Sequence, residues 1–245
     1  MFIVLILLSL LPIFLALIAP IKIVKEVNVS GAYVIICVAA RNEEVCISEC
    51  LESLLALNYP KELFEIHVAN DGSTDDTNEI LKRYESNYEQ IHVLQVDRTV
   101  KKTKGKARAL AQLTKGLTCD YIAFTDADVV VTKEWLRGML SAIGTRGLIS
   151  GTTLIGGRFL FDKWQGMDWL IGQLQLQLSS RFLKGTPTAM GNNMLVNTEK
   201  FFSVGGYEEL PFSVTEDVSL QKVFERKGYK TAMCFVQNYV ALTRA

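Results

Sequence analysis

The chain has 245 residues, 26 Lys plus Arg against 26 Asp plus Glu, and a composition that is 49 % hydrophobic and 9 % aromatic. That apolar fraction can bury a sizeable core, which excludes disorder as the main state. The charge balance argues against recognition of nucleic acid through a bulk positive field, so no nucleic-acid partner is expected.

The charges are unevenly placed: residues 1–21 carry none, and Ser9 is their only hydroxyl. As a helix rising about 1.5 Å per residue, this stretch reaches roughly 31 Å, enough to cross a hydrocarbon core of about 30 Å. No Lys or Arg precedes the apolar run and Ala16 to Pro20 lacks a clean A-x-A site, so an anchor is preferred over a cleaved signal peptide. Lys22 and Lys25 follow directly, which predicts a single-pass protein of the cell membrane with its remaining domain in the cytoplasm. The expected organisation is an anchor at 1–21, a linker at 22–32 and one domain over 33–245.

From Tyr33 onward, short apolar runs alternate with helical patterns. Tyr33–Ala39, Phe64–Ala69, Ile91–Val96 and Tyr121–Thr125 read as strands, separated by helices at Glu44–Leu57, Asp75–Tyr84 and Lys104–Leu117 and followed by one at Lys133–Ile143. This is a βαβ series, and the runs Val34–Val38 and Tyr121–Phe124 lack polar alternation, as expected of parallel strands covered on both faces. An open α/β sheet is predicted. Beyond it, Leu148–Ile155 reads as one strand and about Asp162 to Phe182 as a long helix. In that helix Trp164, Met167, Ile171, Leu174 and Leu178 form a stripe. The stripe is expected to pack in the core; the alternative, a face on the membrane surface, draws on Phe159, Phe161 and Trp169. The five cysteines (Cys37, Cys46, Cys50, Cys119, Cys234) are scattered and odd in number, so reduced thiols are expected. Cys46 and Cys50, four apart, find no zinc spacing with His67 or His92.

In open α/β sheets ligands bind at the carboxyl ends of the strands. Here those ends read Ala40-Arg41-Asn42-Glu43-Glu44, Asn70-Asp71-Gly72-Ser73-Thr74-Asp75 and Thr125-Asp126-Ala127-Asp128. One crevice would collect all three. Asp126 and Asp128, alternate residues at a strand end, can face one hard cation, Mg²⁺ or Mn²⁺, with a ligand diphosphate completing its shell. Ser73 or Thr74 as N-cap with Asp75 and Asp76 in the first turn is ordinary helix chemistry, but it leaves Asp71 unexplained, where a carboxylate can accept from a base or ribose. Lys106 lies in a basic run, Lys101 to Arg108, that is either a solvated loop or a diphosphate contact. Thr215-Glu216-Asp217 opens a helix whose amides would keep Asp217 ionised and ready to accept a proton. Met190-Gly191-Asn192-Asn193 reads as an architectural turn.

Taken in order, Ala40-Arg41-Asn42-Glu43, Asn70-Asp71-Gly72-Ser73, Gly105-Lys106-Ala107, Asp126-Ala127-Asp128, Gly191-Asn192-Asn193 and Thr215-Glu216-Asp217 resemble the motifs of family 2 glycosyltransferases of the GT-A fold, over about Val34 to Tyr239. The resemblance implies a nucleotide-diphosphate sugar donor, usually UDP-linked, and a glycan or lipid-linked acceptor glycosylated with inversion. By position, Ala40 to Glu43, Asp71, Lys106 and Asp126 would bind the nucleotide sugar, with Glu43 and Asp71 on the nucleoside. Asp126 and Asp128 would hold the divalent cation, and Asp217 would be the base. Membrane synthases of the family also carry Q-x-x-R-W after the TED segment; only 28 residues follow Asp217 here, without it, so a fragment is expected. A sugar nucleotidyltransferase is the closest rival, but it would place a Gly-rich loop where Ala39 to Glu43 has no glycine. A membrane-tethered nucleotide-sugar binding module without turnover is the second rival.

Overall fold

The computed structural model describes residues 31–100, 102–156, 164–173, 189–210, 215–234 and 241–244. The expected anchor and nearly all of the linker lie outside the described residues. Among the described residues no helix is long and apolar enough to cross a membrane.

The predicted alternation holds through the first half. Strands β1 (Val34–Ala40), β2 (Phe64–Asn70), β3 (Ile91–Gln95) and β4 (Tyr121–Asp126) are parallel neighbours. Helices α1 (Ile47–Leu55), α2 (Thr77–Asn87) and α3 (Gly105–Leu113) connect them, and α4 (Trp135–Ile143) follows the short strand β5 (Val129–Val131). Alternate residues of β1 serve opposite faces. Val34, Ile36 and Val38 pack in a core with α1 and α4, while Ile35 and Cys37 pack in a second core with α3. Each such side chain, fully withdrawn from water, contributes about 1.5–3 kcal/mol. Burial on both faces is why β1 carries no polar alternation.

The main sheet has seven strands in the order β3-β2-β1-β4-β8-β6-β9, with β6 at Leu148–Ser150, β8 at Asn193–Asn197 and β9 at Thr231–Met233. β8 runs antiparallel between β4 and β6. A second sheet of three strands, β5-β10-β7, joins β5 to β7 (Thr153–Gly156) through β10 (Ala241–Arg244). Helices α6 (Thr198–Ser203) and α7 (Glu216–Arg226) contribute Phe201, Leu220 and Phe224 to the α3 side of the sheet.

Three expectations need correction. The run Leu148–Ile155 is two strands in different sheets, broken at Gly151 and Thr152. There the Gly151 amide donates to the Asn193 carbonyl at 2.8 Å, and Asn193 Nδ2 donates to the Thr152 carbonyl at 2.9 Å. A Cβ on Gly151 would lie 2.5 Å from Asn193 Oδ1, so the crossing requires glycine. The described part of the stripe on the long helix does not enter the core. Residues 164–173 form helix α5, in which Trp164 is 70 % and Met167 55 % exposed and Ile171 only partly buried. α5 is instead tied down by Trp169 Nε1 and Gln173 Nε2, which both donate to the Thr153 carbonyl. Leu174 and Leu178 lie outside the described residues. Finally, α2 begins at Thr77 with Asp76 at the N-cap position, later than Ser73 or Thr74, because those two hydroxyl residues are engaged elsewhere.

Candidate active site

Register brings the polar strand ends together. Ala40 pairs with Asn70, Asn70 with Gln95, and Ala39 with Asp126, so β1, β2, β3 and β4 end almost level and their following loops share one edge of the sheet. Antiparallel β8 adds to that edge, since Thr125 pairs with Asn193 and Thr125 Oγ1 donates to the Asn192 carbonyl at 3.1 Å.

The loops after β1 and β2 are laced to each other. Asn42 sits in the left-handed region at φ 58°, a conformation asparagine tolerates better than most residues. Its Oδ1 accepts from the Thr74 amide at 2.8 Å, and its own amide donates to Ser73 Oγ at 3.1 Å. Ser73 Oγ donates in turn to Asn70 Oδ1 at 2.7 Å, and the Glu43 amide donates to Thr77 Oγ1 at 2.7 Å. Ser73 and Thr77 thus hold the backbone amides of Asn42 and Glu43, and Thr74 holds the Asn42 side chain. Ala40 is buried and its carbonyl accepts from the Asp71 amide at 2.9 Å, while the Arg41 side chain stands exposed.

Asp71 is largely buried, with 7 % of its side chain exposed at the sheet edge. Its Oδ1 accepts from Arg108 Nη2 at 2.8 Å and lies 3.6 Å from Arg98 Nε. Sequence reasoning missed both arginines as partners. Arg108 stands two residues after Lys106 in the basic run, and Arg98 lies three residues beyond the end of β3, so the strand-end rule that found Asp71 also covers Arg98.

Asp126 ends β4 and Asp128 precedes β5, so the pair straddles the junction of the two sheets. Asp128 Oδ2 accepts from Thr243 Oγ1 of β10 at 2.9 Å. Lys106, in the first turn of α3, binds Asp126 Oδ1 through Nζ and lies 3.8 Å from Glu216 Oε1. Burial works to lower the Lys106 pKa, but the charge and hydrogen bond of Asp126, with Glu216 and Asp217 behind, outweigh it and the value is raised. Lys106 is therefore a fixed cation among carboxylates. The Glu43 carboxyl is pushed up, first by burial and then by the charges of Asp128, Asp126 and Asp75. Beyond burial, three carboxylates therefore act on Glu43 and make its surroundings negative.

Asp217, in the first turn of α7, accepts from the Gly191 amide through Oδ2 at 2.7 Å and from the Val218 amide through Oδ1 at 2.8 Å. The Gly191 turn is thus more than architecture. A Cβ on Gly191 would lie 3.2 Å from the Asp217 Cβ, so its lack of side chain admits the carboxylate. The structure accordingly brings Glu43, Lys106, Asp126, Asp128 and Asp217 to one edge, with Asp71 held beside them by arginines. Glu216 joins as a second partner of Lys106 that sequence reasoning had left in a helix cap.

Comparison with known proteins gives a consistent result. Residues 35–203 match the family model described as glycosyl transferase family 2. The chain is 29 % identical over 204 residues, 80 % of its length, to a beta-monoglucosyldiacylglycerol synthase of Nostoc sp.. It is 27 % identical over 209 residues, 81 % of its length, to the poly-beta-1,6-N-acetyl-D-glucosamine synthase of Staphylococcus aureus. The matches cover 42 % and 48 % of those proteins, so the chain spans less than half the length of either. Among solved structures, the mannosyltransferase PcManGT from Pyrobaculum calidifontis in complex with GDP-Man and Mn²⁺ superposes with a TM-score of 0.69 at 20 % identity, over 96 % of this chain and 63 % of that one. S. aureus TarS 1–349 in complex with UDP-GlcNAc gives a TM-score of 0.62 at 19 % identity, over 87 % and 58 %. At these identities the likeness establishes a shared fold.

Proposed function

The chain belongs to glycosyl transferase family 2 and is a glycosyltransferase; from that premise we propose that it moves a sugar from a UDP-linked donor to a glycan or lipid-linked acceptor by a single, inverting displacement. The observation that carries the reading is the level ending of β1, β2 and β4, which gathers Glu43, Asp126 and Asp128 at one edge of the sheet, where Lys106 binds Asp126 and also feels the charges of Glu216 and Asp217. The donor fits because each of its charges has a counterpart. Lys106 stays protonated at neutral pH and offers a cation to the diphosphate. Asp126 and Asp128 supply hard oxygen donors suited to Mg²⁺ or Mn²⁺, and their charges, which add to burial in raising the Glu43 pKa, make a negative field that such an ion would relieve. When bound, the cation stabilises charge on the departing diphosphate as a Lewis acid.

The reaction then divides among this chain's residues. The acceptor hydroxyl approaches the anomeric carbon on the side opposite the diphosphate. Asp217, held by the Gly191 and Val218 amides, takes the hydroxyl proton as the new C–O bond forms and the bond to phosphate breaks. Ala40 to Glu43 and Asp71 border the nucleoside, with Arg108 and the Asn42–Ser73–Thr74 lacing keeping their geometry fixed. The uncharged residues 1–21 serve as a membrane anchor that keeps the domain on the cytoplasmic side, where nucleotide sugars and a lipid-borne acceptor meet. The relatives named for the synthesis of a glucosylated lipid and of a polysaccharide favour a lipid or a growing glycan as the acceptor.

The test is a coupled assay for released UDP, with the full chain in detergent, a UDP-sugar panel and a glycan or lipid extract. Acceptor-dependent release of UDP is expected. Tight UDP binding without acceptor-dependent release would favour a binding module, and release of pyrophosphate from a sugar phosphate and UTP would favour a nucleotidyltransferase.

A further inference from the structure

On the α3 face of the sheet, away from the carboxyl ends, a second cluster draws on residues the proposed reaction does not use. Glu65 and His67 are alternate residues of β2 and project from the same side, the side they share with their β1 partners Ile35 and Cys37. The register of β2 with β3 sets His92 directly beside His67. His67 Nε2 lies 2.8 Å and His92 Nε2 3.5 Å from Glu65 Oε2, and the three donor atoms fall within 4.8 Å of one another. The chain has two histidines in all, and both are in this cluster.

We propose that Glu65, His67 and His92 bind one borderline divalent transition ion, of which Zn²⁺ is the type, at a site separate from the Asp126–Asp128 pair. Two imidazoles and a carboxylate are a zinc ligand set that leaves one position to water, and bonds of about 2.0–2.2 Å in a tetrahedron set ligand atoms roughly 3.3 Å apart. The two separations from Glu65 bracket that value, so small side-chain rotations admit the ion. His92 is half exposed and gives access from solvent, while the His67 side chain, 17 % exposed, is anchored in the sheet. Burial, helped by neighbouring His92 and opposed by Glu65, lowers the His67 pKa, which keeps the imidazole neutral and able to ligate. The Tyr33 hydroxyl hydrogen-bonds Glu65, the kind of outer partner that orients a ligating carboxylate. His67 lies three residues before Asn70, roughly 10 Å along the strand from the reaction edge, so the ion would clip β3, an edge strand, to β2 rather than touch the donor.

The test uses the full chain in detergent, stripped with a chelator and returned to excess Mg²⁺, then titrated with Co²⁺ and Zn²⁺. One equivalent of Co²⁺ should give the visible ligand-field band of a tetrahedral ion, unchanged in an Asp126→Asn/Asp128→Asn variant and absent in His92→Ala. Tyr33→Phe should weaken Zn²⁺ by about 10–100-fold, and His92→Ala by more. Zn²⁺ at about 100 times its Kd should raise the Tm by about 5–10 °C over Mg²⁺ alone. A Co²⁺ band that survives His92→Ala, or one that vanishes with Asp126 and Asp128, overturns the proposal. So does Zn²⁺ binding no tighter in the parent chain than in His92→Ala.

Discussion

Replacing Asp217 by Asn separates the proposed base from the groups that hold the donor, and the structure shows that the change has two costs. Both carboxylate oxygens accept from backbone amides, Gly191 at 2.7 Å and Val218 at 2.8 Å. An asparagine keeps one acceptor oxygen, so in either orientation its NH₂ faces an amide donor and one charge-assisted hydrogen bond is lost. Such a bond is worth about 1.5–3 kcal/mol, which for a chain of this size lowers the Tm by about 3–12 °C. The chemical cost is larger. Loss of a general base slows transfer by about 10²–10⁴-fold, in kcat, with little change in UDP affinity because both Asp217 oxygens are engaged by backbone amides and neither is a proposed ligand of the donor. Thermal melting, UDP calorimetry and acceptor-dependent UDP release, all run below the variant's Tm, read the three quantities separately. Transfer within about threefold of the parent rate would refute the assignment and leave Thr215-Glu216-Asp217 as a helix start held to the Gly191 turn.

Other consequences follow from neighbouring contacts. Asp71→Ala strands the Arg108 guanidinium, whose side chain is only 12 % exposed, and should cost about 3–5 kcal/mol in denaturant unfolding; a loss under 1 kcal/mol would mean the pair is not a structural tie. Gly191→Ala places a Cβ 3.4 Å from Asp217 Oδ2 and should lower kcat by up to about 10²-fold while sparing UDP affinity; unchanged kcat would show that the carboxylate position is not critical. Lys106→Ala removes the cation between Asp126 and Glu216, so UDP should bind at least about tenfold more weakly while uridine is unaffected. Equal losses for UDP and uridine would mean that Lys106 supports the fold instead of meeting phosphate.

Much of this architecture was legible in the sequence because parallel strands buried on two faces leave uninterrupted apolar runs. β1 and β4 were found that way and β2 from its place in the strand–helix alternation, and with them the three polar strand ends. What misled was information that only neighbours hold. The break at Gly151 depends on Asn193, a residue more than forty positions away in the chain. The apolar spacing of Trp164 and Met167 is the same whether the stripe is buried or exposed, and here it is exposed. Ser73 and Thr74 have the chemistry of helix caps, but Asn42 and Asn70 compete for their hydroxyls and amides, so the helix starts later. Arg108 escaped notice because a basic run does not reveal which of its members turns inward to Asp71. His67 and His92 escaped because two isolated histidines become neighbours only through the register of β2 with β3.

Titration of the full chain with UDP by calorimetry, in Mn²⁺ and again after chelation, tests most directly whether the carboxylates at the strand ends form a nucleotide-sugar site. Stoichiometric binding that weakens at least about tenfold without the ion, and is likewise weak with the ion present in Asp126→Asn/Asp128→Asn, is the predicted result. UDP affinity that is the same with and without Mn²⁺ and indifferent to both substitutions would contradict it.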